Sequence, residues 1–101
     1  MIKVTIKKEK EEIRTIEISG HSGYEEAGKD IVCASVSSIA ITTVNAILKM
    51  NSDSLIYEEK DGFLKLTILK SDNMISLLIS NMLELLEELQ TQYSKYIKII
   101  K

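Results

Sequence analysis

The one histidine and the one cysteine of this 101-residue chain, His21 and Cys33, stand twelve positions apart across a glycine-rich stretch. An imidazole and a thiol are the smallest set that supports nucleophilic thiol chemistry: the thiolate attacks, and the imidazole takes up and returns the proton. The stretch reads Gly20-His21-Ser22-Gly23-Tyr24-Glu25-Glu26-Ala27-Gly28-Lys29-Asp30-Ile31-Val32-Cys33, and it holds three of the four glycines. An apolar helical pattern follows, with Asp30 at the junction. Asp30 is expected to be the N-cap, its carboxylate accepting the amide N–H of Cys33. Cys33 is then the third helical residue, within the first turn, where the macrodipole favours a thiolate. The helix-start amides of Ile31 or Val32 are candidates to hold an oxyanion. Ser37 lies one turn beyond Cys33 on the same helical face. Gly20, Ser22, Gly23, Tyr24 and Gly28 form the candidate substrate loop.

Plainer readings stand beside these. A lone cysteine is often a small buried hydrophobe, and His21 can be an ordinary exposed loop residue. Asp30 can serve as a cap alone, and Ser37 as a small residue that permits close packing. The glycines fit tight turns as well as a moving loop.

Composition narrows the field. The chain is 45% hydrophobic and 28% charged, an ordinary globular balance for one domain spanning 1–101. One cysteine excludes an internal disulfide framework, and one cysteine with one histidine does not make a closed structural zinc site of the usual kind. No phosphate-cradling glycine motif follows a strand, and no cofactor is expected. Net charge is −2, and Lys3, Lys7, Lys8 and Lys10 are interleaved with Glu9, Glu11 and Glu12, which argues against sequence-independent nucleic-acid binding. The N-terminus lacks a secretory apolar core, and no apolar run is read as a membrane span. A reducing, cytoplasmic setting is expected.

The elements that position the site follow from periodicity. Ile2, Val4 and Ile6 alternate with Lys3, Thr5 and Lys7 as a strand with one buried face, and charged residues 8–12 turn the chain. A second strand over about 13–19 pairs with the first. The helix runs from the Asp30 junction to about Met50. Leu55–Lys60 and Phe63–Leu69 form a hairpin around Asp61-Gly62. A second helix spans about 72–92, capped by Ser71 or Asp72. Asn73, Ser76, Ser80, Glu84, Glu87 and Thr91 give it a polar stripe, and its broad apolar remainder covers the sheet and leaves surface for a second subunit. Tyr96–Ile100 is a possible last strand. The expected fold is α+β, a ββαββα(β) sandwich with two helices packed on an antiparallel or mixed sheet.

His21-Ser22-Gly23-Tyr24 followed by Gly28-Lys29-Asp30-Ile31-Val32-Cys33-Ala34-Ser35-Val36-Ser37 resembles the signature of the bacterial ribosomal-processing cysteine proteases called Prp. The likeness is dense over residues 20–38, and the element order agrees over nearly the whole chain. It implies that His21 is the catalytic histidine and Cys33 the nucleophile, with Asp30 and Ser37 supporting. It further implies a homodimer that removes the N-terminal extension of the large-subunit ribosomal protein L-twenty-seven. Ser22 and Ser35 depart from the alanines often found in the family.

The reading is therefore a cysteine endopeptidase working through a Cys–His mechanism and an acyl-enzyme on a basic ribosomal-protein tail. The alternative is a non-enzymatic dimeric module that binds a ribosomal protein or assembly intermediate. A thiol redox sensor is the third reading, weakened by the lack of a second cysteine.

Overall fold

The computed structural model describes residues 1–20 and 31–101, together with the backbone but not the side chains of 27–30. Strand β1 (Ile2–Glu9) and strand β2 (Glu12–Ser19) pair antiparallel, with Val4 opposite Ile18 and Ile6 opposite Ile16. The charged segment does not separate them as widely as the sequence suggests. Strand pairing consumes most of it, and only Lys10 and Glu11 turn the chain, both with positive φ (53° and 67°). That geometry matches the right-handed twist of a two-residue hairpin, at a conformational cost that glycine or asparagine would avoid.

Strand β3 (Leu55–Lys60) and strand β4 (Phe63–Ile68) form the expected hairpin on Asp61-Gly62, with Gly62 at φ 72°. Strand β4 then pairs antiparallel with β2, so Val4, Ile18 and Leu64 fall in one cross-strand row and Ile6, Ile16 and Leu66 in the next. Strand β5 (Ile97–Ile100) joins the far side of β1 in parallel, giving a five-stranded mixed sheet in the order β3-β4-β2-β1-β5. Its outer edge is blunted, because the Gln90 side-chain oxygen accepts the Ile99 amide at 2.6 Å.

Helix α1 (Ala27–Met50) buries Val32, Val36, Ala40, Val44 and Ile47, spaced by three or four residues. Helix α2 (Asn73–Gln92) buries Ile75, Ile79, Met82 and Leu86. These two rows join the inward residues of all five strands in one core. Each fully buried aliphatic side chain contributes about 1.5–3 kcal/mol to its stability. The stretch Ile31–Met50 is long and apolar enough to cross a membrane by composition, contrary to the sequence expectation. Its buried row is nonetheless packed on the sheet as a core helix.

Asp72 is the cap of α2: its Oδ1 accepts the Ile75 amide at 2.8 Å. Asp72→Ala is expected to lower stability by about 1 kcal/mol with the fold retained, read from urea unfolding midpoints. The apolar remainder of α2 is not all inward. Met74, Leu77 and Leu85 stay exposed, while Ser76, Ser80, Glu84 and Glu87 of the polar stripe line a cleft beside the β1–β2 turn.

Candidate active site

Strand β2 delivers the chain to the site. Gly20 follows its last residue, and its amide donates to the Gly62 carbonyl at 2.9 Å. The position immediately before His21 is thus tied to the tip of the β3–β4 hairpin. Gly20 holds φ 87°, a conformation L side chains rarely adopt, and a Cβ there would fall on the Met1 carbonyl oxygen.

His21, Ser22, Gly23 and Tyr24 lie outside the described residues, as do the side chains of residues 27–30, Asp30 among them. The backbone nevertheless corrects one expectation. Helix α1 begins at Ala27, so Asp30 is its fourth residue and not its N-cap, and Cys33 is its seventh. Gly28 costs about 1 kcal/mol in a helix, which does not stop the helix from starting ahead of it. An acidic residue in the first turn also satisfies the dipole as well as one at the cap. Two consequences follow. The amides of Ile31 and Val32 are opposite the helical carbonyls of residues 27 and 28, which engages the donors that the sequence offers for an oxyanion. Cys33 is in the second turn, where the dipole has largely decayed, so a thiolate there depends more on a neighbouring imidazole.

Cys33 is half-buried against the core, flanked by buried Val32 and Val36. One turn on, Ser37 is half-buried, and Ile41 follows on the same face with part of its side chain exposed. Ser37 and Ile41 form one wall of an open cleft of about 570 Å³, and Glu59, Lys60, Asp61 and Gly62 of the β3–β4 hairpin form the other. Sequence reasoning placed Ser37 beside Cys33 but missed Glu59 and Asp61. The Asp61-Gly62 turn is legible locally; its seat beside α1 depends on β4 pairing with β2. Ser35 donates its hydroxyl to its own helix, at the Ile31 carbonyl (2.9 Å), so its departure from alanine is absorbed within α1.

Glu59 is oriented by Tyr57, whose hydroxyl donates to Glu59 Oε2 at 2.7 Å. Burial, then this hydrogen bond and the Glu59 charge, push the Tyr57 phenol up to about 12 from its ordinary 10. A raised phenol pKa stabilises the fold while the group is neutral, and that contribution is lost as pH rises from 10 to 12. In an ultraviolet difference titration, the Tyr57 midpoint is expected near 12, with Glu59→Gln bringing it part of the way down toward 10.

The arrangement so far is a nucleophilic side chain on a core helix, beside an open acidic cleft suited to an extended chain. Residues 1–98 match the family model described as cysteine protease Prp. The chain belongs to the Prp family of cysteine proteases. It is 28% identical over 85 residues to the ribosomal processing cysteine protease Prp of Staphylococcus aureus, covering 81% of this chain and 80% of that one. A 49-residue match to the Bacillus subtilis Prp is 37% identical, over 48% of this chain and 44% of that one. The structure of S. aureus Prp in complex with a substrate peptide superposes with a TM-score of 0.89 at 27% identity, over 98% and 97% of the two chains. A Streptococcus mutans protein of the same fold superposes with a TM-score of 0.85 at 30% identity, over 99% and 92%. The protein is accordingly a cysteine protease of the ribosomal-processing type, and Prp membership favours the enzyme over the binding module and the redox sensor.

Proposed function

We propose that this Prp removes the N-terminal extension of the large-subunit ribosomal protein L-twenty-seven, with Cys33 as nucleophile and His21 as general base and acid. The observation that carries this reading is the match to Prp over residues 1–98, which contains both residues. S. aureus Prp, of the same fold, has been seen with a substrate peptide and with a covalently linked product peptide, which fits an acyl-enzyme route. The Cys33 sulfur attacks the scissile carbonyl, and the thiol proton passes to the imidazole of His21. The tetrahedral oxyanion collapses to a thioester as the leaving amine takes that proton. Water, deprotonated by the same imidazole, then releases the carboxylate product and restores the thiol. Backbone amides in the first turns of α1 are the donors suited to the oxyanion. Asp30 and Ser37 support the site, and Gly20, Ser22, Gly23, Tyr24 and Gly28 belong to the loop assigned to the substrate.

The wall of Glu59, Lys60 and Asp61 carries one net negative charge, which favours a basic tail passing Cys33 and Ser37. The exposed apolar residues Met74, Leu77 and Leu85 of α2 support a homodimer, and a ribosomal substrate places the enzyme in the cytoplasm. The test is cleavage of a peptide spanning the extension of L-twenty-seven by the wild type, Cys33→Ala and His21→Ala proteins. Cutting by the wild type alone supports the mechanism; cutting by Cys33→Ala overturns it.

A further inference from the structure

At the opposite end of the sheet from the Gly20–Gly62 contact lies a second cleft, of about 490 Å³. Its apolar floor is Ile13, Ile68, Ile79 and Leu83, drawn from β2, β4 and α2. Carboxylates rim it on both sides: Glu11 from the β1–β2 turn and Glu12 from the start of β2, and Glu84 and Glu87 from the α2 stripe. Glu87 is paired with Lys101 at 3.1 Å, whereas Glu11, Glu12 and Glu84 have no ion pair among the described residues. Lys8 is the one cation in the lining. Arg14, in the adjoining hollow, is engaged with Glu9 at 3.8 Å and with the Ile68 carbonyl.

We propose that this cleft docks a second stretch of the protein substrate, basic and amphipathic, away from the bond that is cut. The proposal rests on the ribosomal substrate proposed above. Two features carry it. The size and apolar floor match a groove that takes side chains, and three unpaired carboxylates around one lysine select a positively charged occupant over a neutral one. Ser76, Ser80, Glu84 and Glu87 of the α2 polar stripe form one wall of this groove. The eight residue-to-residue steps from Glu12 to Gly20 put the two sites about 26 Å apart at ~3.3 Å per step, so an extended segment of about eight residues bridges them.

The test compares two substrates and one binding probe. The triple variant Glu11→Gln, Glu12→Gln, Glu84→Gln replaces exposed carboxylates by isosteric amides, and Lys8→Glu removes the one opposing charge. For full-length L-twenty-seven precursor, the triple variant is expected to raise KM about tenfold with kcat unchanged, and Lys8→Glu to lower KM. Both variants should cut a short peptide spanning the junction as the wild type does. Binding of mature L-twenty-seven, without its extension, to Cys33→Ala protein should weaken about tenfold with the triple variant and weaken with added salt. An unchanged KM for the full-length precursor overturns the docking site while leaving the protease reading intact. Loss of dimer in the triple variant with unchanged KM assigns the cleft to a second copy of the chain and overturns it also. No cleavage of any substrate by the wild type, with charge-dependent binding of mature L-twenty-seven retained, removes the protease reading and leaves the groove standing.

Discussion

Cys33→Ala is expected to lower kcat/KM for a peptide spanning the L-twenty-seven extension by at least about a thousandfold, with the fold intact. The size of the effect comes from chemistry: without the sulfur no thioester forms, and water has to attack the amide directly. Replacing a half-buried thiol by a methyl group removes one heavy atom from the edge of the core, so stability should change by about 1 kcal/mol or less. His21→Ala should cost a comparable factor. The double variant should be no worse than either single one, because nucleophile and base act as a unit. Initial rates for the four proteins, with melting temperatures beside them, measure this directly. Activity of Cys33→Ala within about tenfold of the wild type would exclude a thiol nucleophile.

Gly20→Ala is expected to be the most damaging small substitution near the site, and its damage is structural. Two costs add. The backbone at φ 87° costs an L residue roughly 1–2 kcal/mol, and the new Cβ would fall on the Met1 carbonyl oxygen, a backbone atom that cannot rotate away. Relief requires parting Gly20 from β1, which strains the Gly20–Gly62 hydrogen bond and shifts the residue preceding His21. The expected result is a loss of about 2–4 kcal/mol, or roughly 10–20 °C in Tm for a chain of this size, with reduced activity in the folded fraction. Gly62→Ala is the control. Gly62 also has a positive φ, 72°, but nothing lies within 4 Å of an added Cβ, so only the conformational cost of about 1 kcal/mol applies. Equal melting temperatures for the two variants would refute the clash with Met1.

Much of this protein is legible in its sequence because the decisive signals are local. Alternation in Ile2–Ile6 and Leu64–Ile68 marks strands with one buried face, and Asp61-Gly62 marks a hairpin, whereas the broad apolar face of α2 leaves open which of its residues are buried until Ile75, Ile79, Met82 and Leu86 pack on the sheet. The pairing of one histidine with one cysteine across a glycine-rich stretch raises thiol chemistry as one reading, and the family match supports a cysteine protease. The start of α1 is ambiguous in the sequence for an equally local reason. Aspartate suits an N-cap and a first-turn position alike, so Asp30 did not distinguish a helix beginning there from one beginning at Ala27.

What only the tertiary structure decides is everything that depends on which strands become neighbours. Strand order β3-β4-β2-β1-β5 brings the Gly62 carbonyl to the Gly20 amide and sets Glu59 and Asp61 opposite Ser37. The same order gathers Ile13, Ile68 and the α2 stripe into one cleft. Periodicity fixes which face of each element is apolar, because that depends on residues a few positions apart. Pairing between distant segments is set by the joint packing of seven elements around one core, and no short window of sequence contains that information.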